Sequence, residues 1–304
     1  MRLANLDDRA VLVAADGLAI DVHRASGGRF GPDVVGLYPR WDEFRAWAEQ
    51  LPADGSGAPI DPVRLGPPSP APRQILAFGL NYADHAAESG FAAPQVLPPL
   101  FPKFVSSLTG PVSTVVLPAG GDTDWEIELV AVIGRATTGR VAQAAAWDHV
   151  AGLTVGQDIS DRATQFSTPA PQFGLGKSFP GFAPTGPWLV TPDELSDRDS
   201  LALQCTLDGQ IVQEGNTKDL LFGVARLISD LSGIIALHPG DLIFTGTPEG
   251  VGLGRTPPLY IRPGQELVST IEGIGELRQI FVAADEHGHA PRSQRPAPAP
   301  EVAS

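Results

Sequence analysis

The stretch Trp125-Glu-Ile-Glu-Leu-Val-Ala-Val-Ile133 decides how this chain is read. It is too apolar for a surface segment and too rich in Val and Ile for a helix, so it is predicted to be a buried central strand. Side chains alternate along a strand, which places Glu126 and Glu128 on one face about 7 Å apart, with Trp125, Ile127 and Leu129 on the other. Two carboxylates on one face of a buried strand repel each other and are costly to desolvate. Either a hard divalent cation neutralises them, or the strand end emerges into water; the pair alone leaves both open.

A third carboxylate follows in Val150-Ala-Gly-Leu-Thr-Val-Gly-Gln-Asp158-Ile-Ser-Asp-Arg162-Ala-Thr-Gln165, where an apolar strand runs into a loop at Asp158. Two Glu and one Asp offer only oxygen donors, a set that suits Mg²⁺ or Mn²⁺ better than Zn²⁺ and leaves positions for water and substrate.

Composition bounds the rest. The 304 residues carry a net charge of −14 with 42% hydrophobic and 18% charged residues, which excludes a disordered chain and allows one large domain or two smaller ones. An acidic chain is repelled by phosphate backbones and anionic lipid, so neither nucleic acid nor membrane is an expected partner. Thirty-four glycines and 30 prolines favour many turns and short strands over a helical bundle. The single cysteine, Cys205, excludes an intrachain disulfide or a cysteine zinc cluster, and its alternating Leu-Ala-Leu-Gln-Cys-Thr-Leu setting reads as a buried strand position. Asp7, Asp8 and Arg9 do not fit a secretory leader, and no run approaches the roughly 18 apolar residues of a membrane helix. The expected compartment is the cytoplasm.

Residues 1–72 are expected to form a small N-terminal module that ends in a Pro-rich linker, Gly66-Pro-Pro-Ser-Pro-Ala-Pro72. Trp41, Phe44, Trp47 and Ala48 recur at helical spacing within it. A main domain is expected over 73–284, and the Pro-rich segment 285–304 reads as a disordered tail. The acidity belongs to the main domain: 25 acids face 13 bases from residue 76 onward.

Gly79-Leu-Asn-Tyr-Ala-Asp-His85-Ala-Ala-Glu88-Ser-Gly90 reads as a short helix capped by Asn81 or Asp84 and ended by Gly90. His85 and Glu88, three residues apart, share a helix face, either as an oriented general base or as an exposed pair without a role. Only three lysines stand against 18 arginines, which makes Lys177 informative. The Lys177 segment lacks the first glycine of a phosphate loop, Gly250-Val-Gly-Leu-Gly254 lacks dinucleotide spacing, and neither a GxSxG nor an HExxH motif occurs. Gly240-Asp-Leu-Ile-Phe-Thr-Gly-Thr-Pro-Glu-Gly-Val-Gly252 runs from a strand into a glycine-rich turn. There Thr245, Thr247 and freed backbone N–H groups could receive a carboxylate, or the turn is purely structural.

Taken together these segments, with Gly-Lys-Ser-Phe, Pro-Thr-Gly-Pro and Ile-Glu-Gly-Ile-Gly, occur in the order of the fumarylacetoacetate hydrolase family, which the chain resembles over roughly residues 73–282. The resemblance implies a mainly β, α+β architecture, a mixed β-sandwich roll with a small N-terminal module, usually dimeric. It implies metal-ligand roles for Glu126, Glu128 and Asp158 toward Mg²⁺ or Mn²⁺, with no organic cofactor. It gives catalytic roles to His85 and Glu88 on a mobile lid and to Lys177, and substrate-binding roles to Arg162, Gln165, Thr247 and Tyr82. Such enzymes act on small anionic 2-oxo acids or 1,3-dicarbonyl compounds. Hydrolysis of a C–C bond through a metal-stabilised enolate is the leading expectation, with decarboxylation or isomerisation of related diacids as alternatives. A catalytically silent binding protein on the same fold is a further one. The chain departs from the family pattern at Gln157, where Asn is common, and at Pro180-Gly181, where Asp-Thr is frequent.

Overall fold

The computed structural model describes residues 1–51, 57–88, 90 and 92–285. The tail expected over 285–304 therefore lies, apart from Asp285, outside the described residues. The architecture is mixed α+β, with many strands and few short helices.

The predicted central strand is Ile127–Ile133, and all seven of its residues are buried. It lies between Val150–Gln157 and Leu242–Phe244 in a large sheet. The main path of that sheet runs Ala19–Asp21, Arg9–Val13, Arg2–Leu6, Ala183–Val190, Val150–Gln157, Ile127–Ile133, Leu242–Phe244, Ile75–Phe78 and Leu100–Pro102. A second, five-stranded sheet orders Gln210–Asn216, Ala202–Leu207, Glu266–Ile271, Gly275–Ala283 and Val112–Leu117.

Strand alternation divides the core between these layers. Ile127, Leu129, Ala131 and Ile133 pack in one apolar cluster with Leu203, Cys205, Leu267, Leu277 and Phe281 of the second sheet. Val130 and Val132 point the other way, into a cluster with Phe30, Leu37, Trp41, Phe44 and Phe244. Both faces are thus covered, which is why the segment reads as a continuous apolar run.

The helix at Trp41–Ala48 carries Asp42 and Glu43 in its first turn, where they complement the helix dipole, and buries Trp41, Phe44 and Ala48. Those side chains sit on the large sheet, and Arg2–Leu6 pairs with Ala183–Val190 in the register Leu3↔Leu189. The N-terminal residues therefore extend the sheet of the main domain and share its core, instead of standing apart across the Pro-rich segment. Cys205 is buried in its strand as its alternation predicts, and burial pushes its thiol up to about 12.

A shared core predicts that damage to the N-terminal helix is felt by the whole fold. Phe44→Ala should cost about 3–5 kcal/mol. Urea denaturation followed by both fluorescence and circular dichroism should show one transition at a lower midpoint, with the two probes coincident.

Candidate active site

Backbone pairing assembles the carboxylates. Glu126 precedes the central strand and Asp158 follows the neighbouring one, and the Asp158 N–H donates to the Glu126 carbonyl at 2.9 Å. Oxygen atoms of Glu126, Glu128 and Asp158 lie within 4.8 Å of one another, and all three residues are buried. Of the two readings left open for the pair, emergence into water does not hold: Glu126 is 6% and Glu128 1% exposed. Gln157 turns away from this cluster, accepting from the Glu126 N–H at 2.8 Å and donating to Ser269. Its departure from the family's Asn thus bears on strand geometry rather than on the face that meets a substrate.

Three buried cations answer these charges unequally. Lys177 Nζ donates to Glu126 Oε2 at 2.7 Å and to Asp158 Oδ2 at 2.6 Å. Lys103 Nζ donates to Asp158 Oδ1 at 2.5 Å and to the Lys177 carbonyl. Arg162 reaches Glu126 Oε1 at 2.6 Å, Asp124 Oδ2 through two N–H groups at 2.8 and 2.9 Å, and Gln165 Oε1 at 2.9 Å. Glu128 has no cationic partner among the described residues and accepts only the Gly246 N–H, at 2.6 Å. Gly246 holds a φ of +102°, a region that favours glycine, and a Cβ there would press on Asn81.

The ionisation equilibria follow this inequality. Burial opposes the charged form of Glu126, but Lys177 and Arg162 outweigh it and hold the carboxyl at about 2. Burial, then the charges of Asp158 and Glu126, drive Glu128 well above the usual carboxylate range. Burial also lowers Lys103, whereas for Lys177 the attraction of Asp158 and Glu126 outweighs burial and raises it. A buried all-oxygen site with one carboxylate lacking a counter-charge fits a hard divalent cation.

Above the cluster lies the short helix Ala83–Glu88. His85 is 7% exposed, and its Nδ1 stands 3.5 Å from Glu88 Oε2. Both Glu88 oxygens also accept the Gly250 N–H at 3.1 Å. The expected cap does not form through Asn81. Its amide donates to the carbonyls of Phe222 and Thr245, and its oxygen accepts the Phe222 N–H. These three bonds brace the neighbouring Leu80, which holds a φ of +58°, a conformation costing on the order of 1–3 kcal/mol that persists only where its surroundings impose it.

The glycine-rich turn does receive carboxylates through backbone N–H groups, but they are the chain's own: Glu128 at Gly246, Glu88 at Gly250 and Asp124 at Gly252. The Thr245 hydroxyl serves the Leu129 carbonyl, while the Thr247 hydroxyl accepts from Gln213 at 2.8 Å. Tyr82 is 3% exposed, and its hydroxyl finds no hydrogen-bond partner among the described residues. The structure thus brings His85, Glu88, Lys177, Arg162, Gln165 and the three carboxylates into one bonded neighbourhood. Sequence reasoning missed Lys103, Asp124, Asn81 and Gln213. Lysine scarcity was a usable signal for Lys103, whereas nothing in the sequence separates Asp124 from the other acids of the main domain.

The family described as fumarylacetoacetate (FAA) hydrolase C-terminal matches residues 74–282. A crystal structure of "a putative HpcE protein" from Mycobacterium smegmatis is 52% identical, with a TM-score of 0.88 over 94% of this chain and 100% of that one. Maleylpyruvate hydrolase from Sphingobium sp. SYK-6, solved with manganese(II) and pyruvate, is 29% identical, with a TM-score of 0.77 over 94% and 100%. Human oxaloacetate tautomerase FAHD2A, mitochondrial, is 41% identical over 77% of this chain and 73% of its own length. No helix among the described residues is long and apolar enough to cross a membrane.

The raised Glu128 gives a test of the metal fit. A divalent cation requires the carboxylate, so binding expels a proton and affinity rises with pH through the Glu128 titration. Calorimetric Mn²⁺ titrations near neutral pH, in two buffers of different ionisation enthalpy, should give different apparent heats for the wild type. That difference should vanish in Glu128→Gln; buffer-independent wild-type heats would contradict the assignment.

Proposed function

The chain belongs to the fumarylacetoacetate hydrolase family, and from that premise we propose that it is a divalent-metal-dependent hydrolase cleaving a C–C bond in a small anionic 2-oxo acid or 1,3-dicarbonyl compound. The observation that carries this reading is the pairing of two devices at one place: a buried all-oxygen carboxylate triad and a His85–Glu88 dyad near enough for His85 to act electrostatically on Glu126. Mg²⁺ or Mn²⁺ held by Glu126, Glu128 and Asp158 would supply Lewis acidity toward the 2-oxo group, worth several kcal/mol at the transition state.

The chain's own groups do the rest. Glu88 orients His85 through Nδ1 and leaves the other ring nitrogen to take a proton from water. The resulting hydroxide adds to the distal carbonyl carbon, and the C–C bond breaks to give a carboxylic acid, its electron pair passing to the 2-oxo side as an enolate whose carbon takes the proton back from His85. Lys177 shares its donors between Glu126 and Asp158. Its Nζ would stand beside the ligand oxygens, where it could donate to a developing oxyanion. Gln165, the Thr247 hydroxyl and the unpartnered Tyr82 hydroxyl are placed to hold the substrate's polar ends. Arg162 has most of its donors spent on Asp124, Glu126 and Gln165, so its part is chiefly to hold a ligand and Gln165 in place.

A second reading, keto–enol tautomerisation, isomerisation or decarboxylation of a related diacid, uses the same proton transfer by His85 without the water attack. It is favoured by the tautomerase relative, which matches over 77% of this chain. A panel of acylpyruvates, oxaloacetate and hydroxymuconate-type acids with Mg²⁺, followed by ultraviolet absorbance and CO₂ release, separates the two. Cleavage of an acylpyruvate is expected, with His85→Ala lowering kcat by about 10²–10⁴-fold. Full hydrolytic activity in that variant would remove His85 as the base. Metal-dependent thermal stabilisation with no turnover on any of these acids would indicate a binding protein.

The working state we propose is a cytoplasmic homodimer. Phe104, Val105, Phe166 and Leu175 are exposed apolar side chains on neighbouring segments beside the site, a surface a second copy would cover. Light scattering after gel filtration should give twice the chain mass, and Phe166→Glu with Leu175→Glu should shift it toward the monomer.

A further inference from the structure

The loop Gly250–Gly254 grips two carboxylates that belong to different parts of the site. The Gly250 N–H donates to Glu88 on the lid helix. The Gly252 and Leu253 N–H groups donate to Asp124 at 2.6 and 3.0 Å. Neither seat has room for a side chain: a Cβ on Gly254 would stand 2.3 Å from Glu88 Cγ, and one on Gly252 would stand 2.7 Å from Asp124 Oδ1.

Asp124 is 0% exposed and accepts five N–H donors: two from Arg162, and the backbone groups of Trp125, Gly252 and Leu253. Arg162 continues to Glu126 Oε1. A connected path therefore runs from the helix Ala83–Glu88, through the backbone between Gly250 and Gly252, to Asp124, Arg162 and one carboxylate of the triad. Trp125 reinforces it, donating its indole N–H to the Gly250 carbonyl at 3.2 Å. Charge-assisted bonds in a water-poor interior are directional and costly to leave unmade, so the loop cannot shift for one carboxylate without disturbing the other.

We propose that Asp124 is a positioning residue that couples closure of the helix Ala83–Glu88 to the orientation of Arg162 and Glu126, with the loop Gly250–Gly254 as the connecting part. The inference rests on reading Glu126 as a metal ligand. It gives the loop, whose glycine spacing fits no nucleotide motif, a part in the site: Gly254 makes room for Glu88, and Gly252 for Asp124 and the Leu259 carbonyl.

Two variants test it from opposite ends. Asp124→Asn removes the charge that holds Arg162 and the loop. Gly254→Ala places a Cβ against the Glu88 side chain from Cγ outward, and its three nearest atoms all belong to that side chain. Hydrogen exchange of the metal-free protein should quicken in the helix Ala83–Glu88 of Asp124→Asn by about fivefold or more, although Asp124 does not touch that helix. Calorimetry should show Mn²⁺ binding weakened by about fivefold or more in Gly254→Ala, although Gly254 touches no ligand. Faster exchange confined to the loop in Asp124→Asn, or unchanged Mn²⁺ affinity in Gly254→Ala, overturns the coupling. If wild-type protein binds no Mn²⁺, the metal reading fails and the exchange experiment alone decides the coupling. If Asp124→Asn does not fold, the calorimetry of Gly254→Ala decides it.

Discussion

Four carboxylates, Asp124, Glu126, Glu128 and Asp158, are buried in one place with only three buried cations among the described residues to face them. Burying an ion costs several kcal/mol even after relaxation, so such a cluster exists only where the surroundings are built to meet it. Much of the structure can be traced to that demand. Lys103 comes from the end of the edge strand Leu100–Pro102, Lys177 follows the short helix Phe173–Gly176, and Arg162 opens a helix whose cap is Asp161. Each arrives from a different part of the chain, which is why a large sheet with long connections is needed to close so small a site.

The same arrangement resolves the charge of the chain. A protein at −14 appears a poor receptor for an acid. Within the site the excess is a single carboxylate, Glu128, because the other acids hold cations inside the fold. The net field at a distance repels polyanions, while the centre itself is short of positive charge and is made ready for a divalent ion.

The fold was legible in sequence where burial writes a pattern. Strand Ile127–Ile133 announces itself because both its faces are covered, and helix Trp41–Ala48 because only one of its faces is. The division at the Pro-rich segment was less informative. Proline and glycine report local turns, whereas the pairing of Arg2–Leu6 with Ala183–Val190 spans most of the chain and has no local signature. In the site, the carboxylate triad could be read because like charges on an apolar strand are conspicuous. Asn81 and Asp124 could not, because their partners are backbone groups far along the chain, at Phe222, Thr245, Gly252 and Leu253. Arg162, which its motif position assigns to the substrate, has most of its donors bonded to Asp124, Glu126 and Gln165, partners that no local pattern announces.

The lid helix is anchored at its two ends, by the Asn81 bonds before it and by Glu88 in the glycine loop. Between those anchors Ala83, Asp84 and Ala87 face outward, and among the residues of the helix only His85 and Ala86 are buried. The outward positions are thereby released from the folding of the carboxylate centre. A lineage could therefore exchange them while inheriting the centre unchanged, so one face of this helix is free to drift while the other is held by the site.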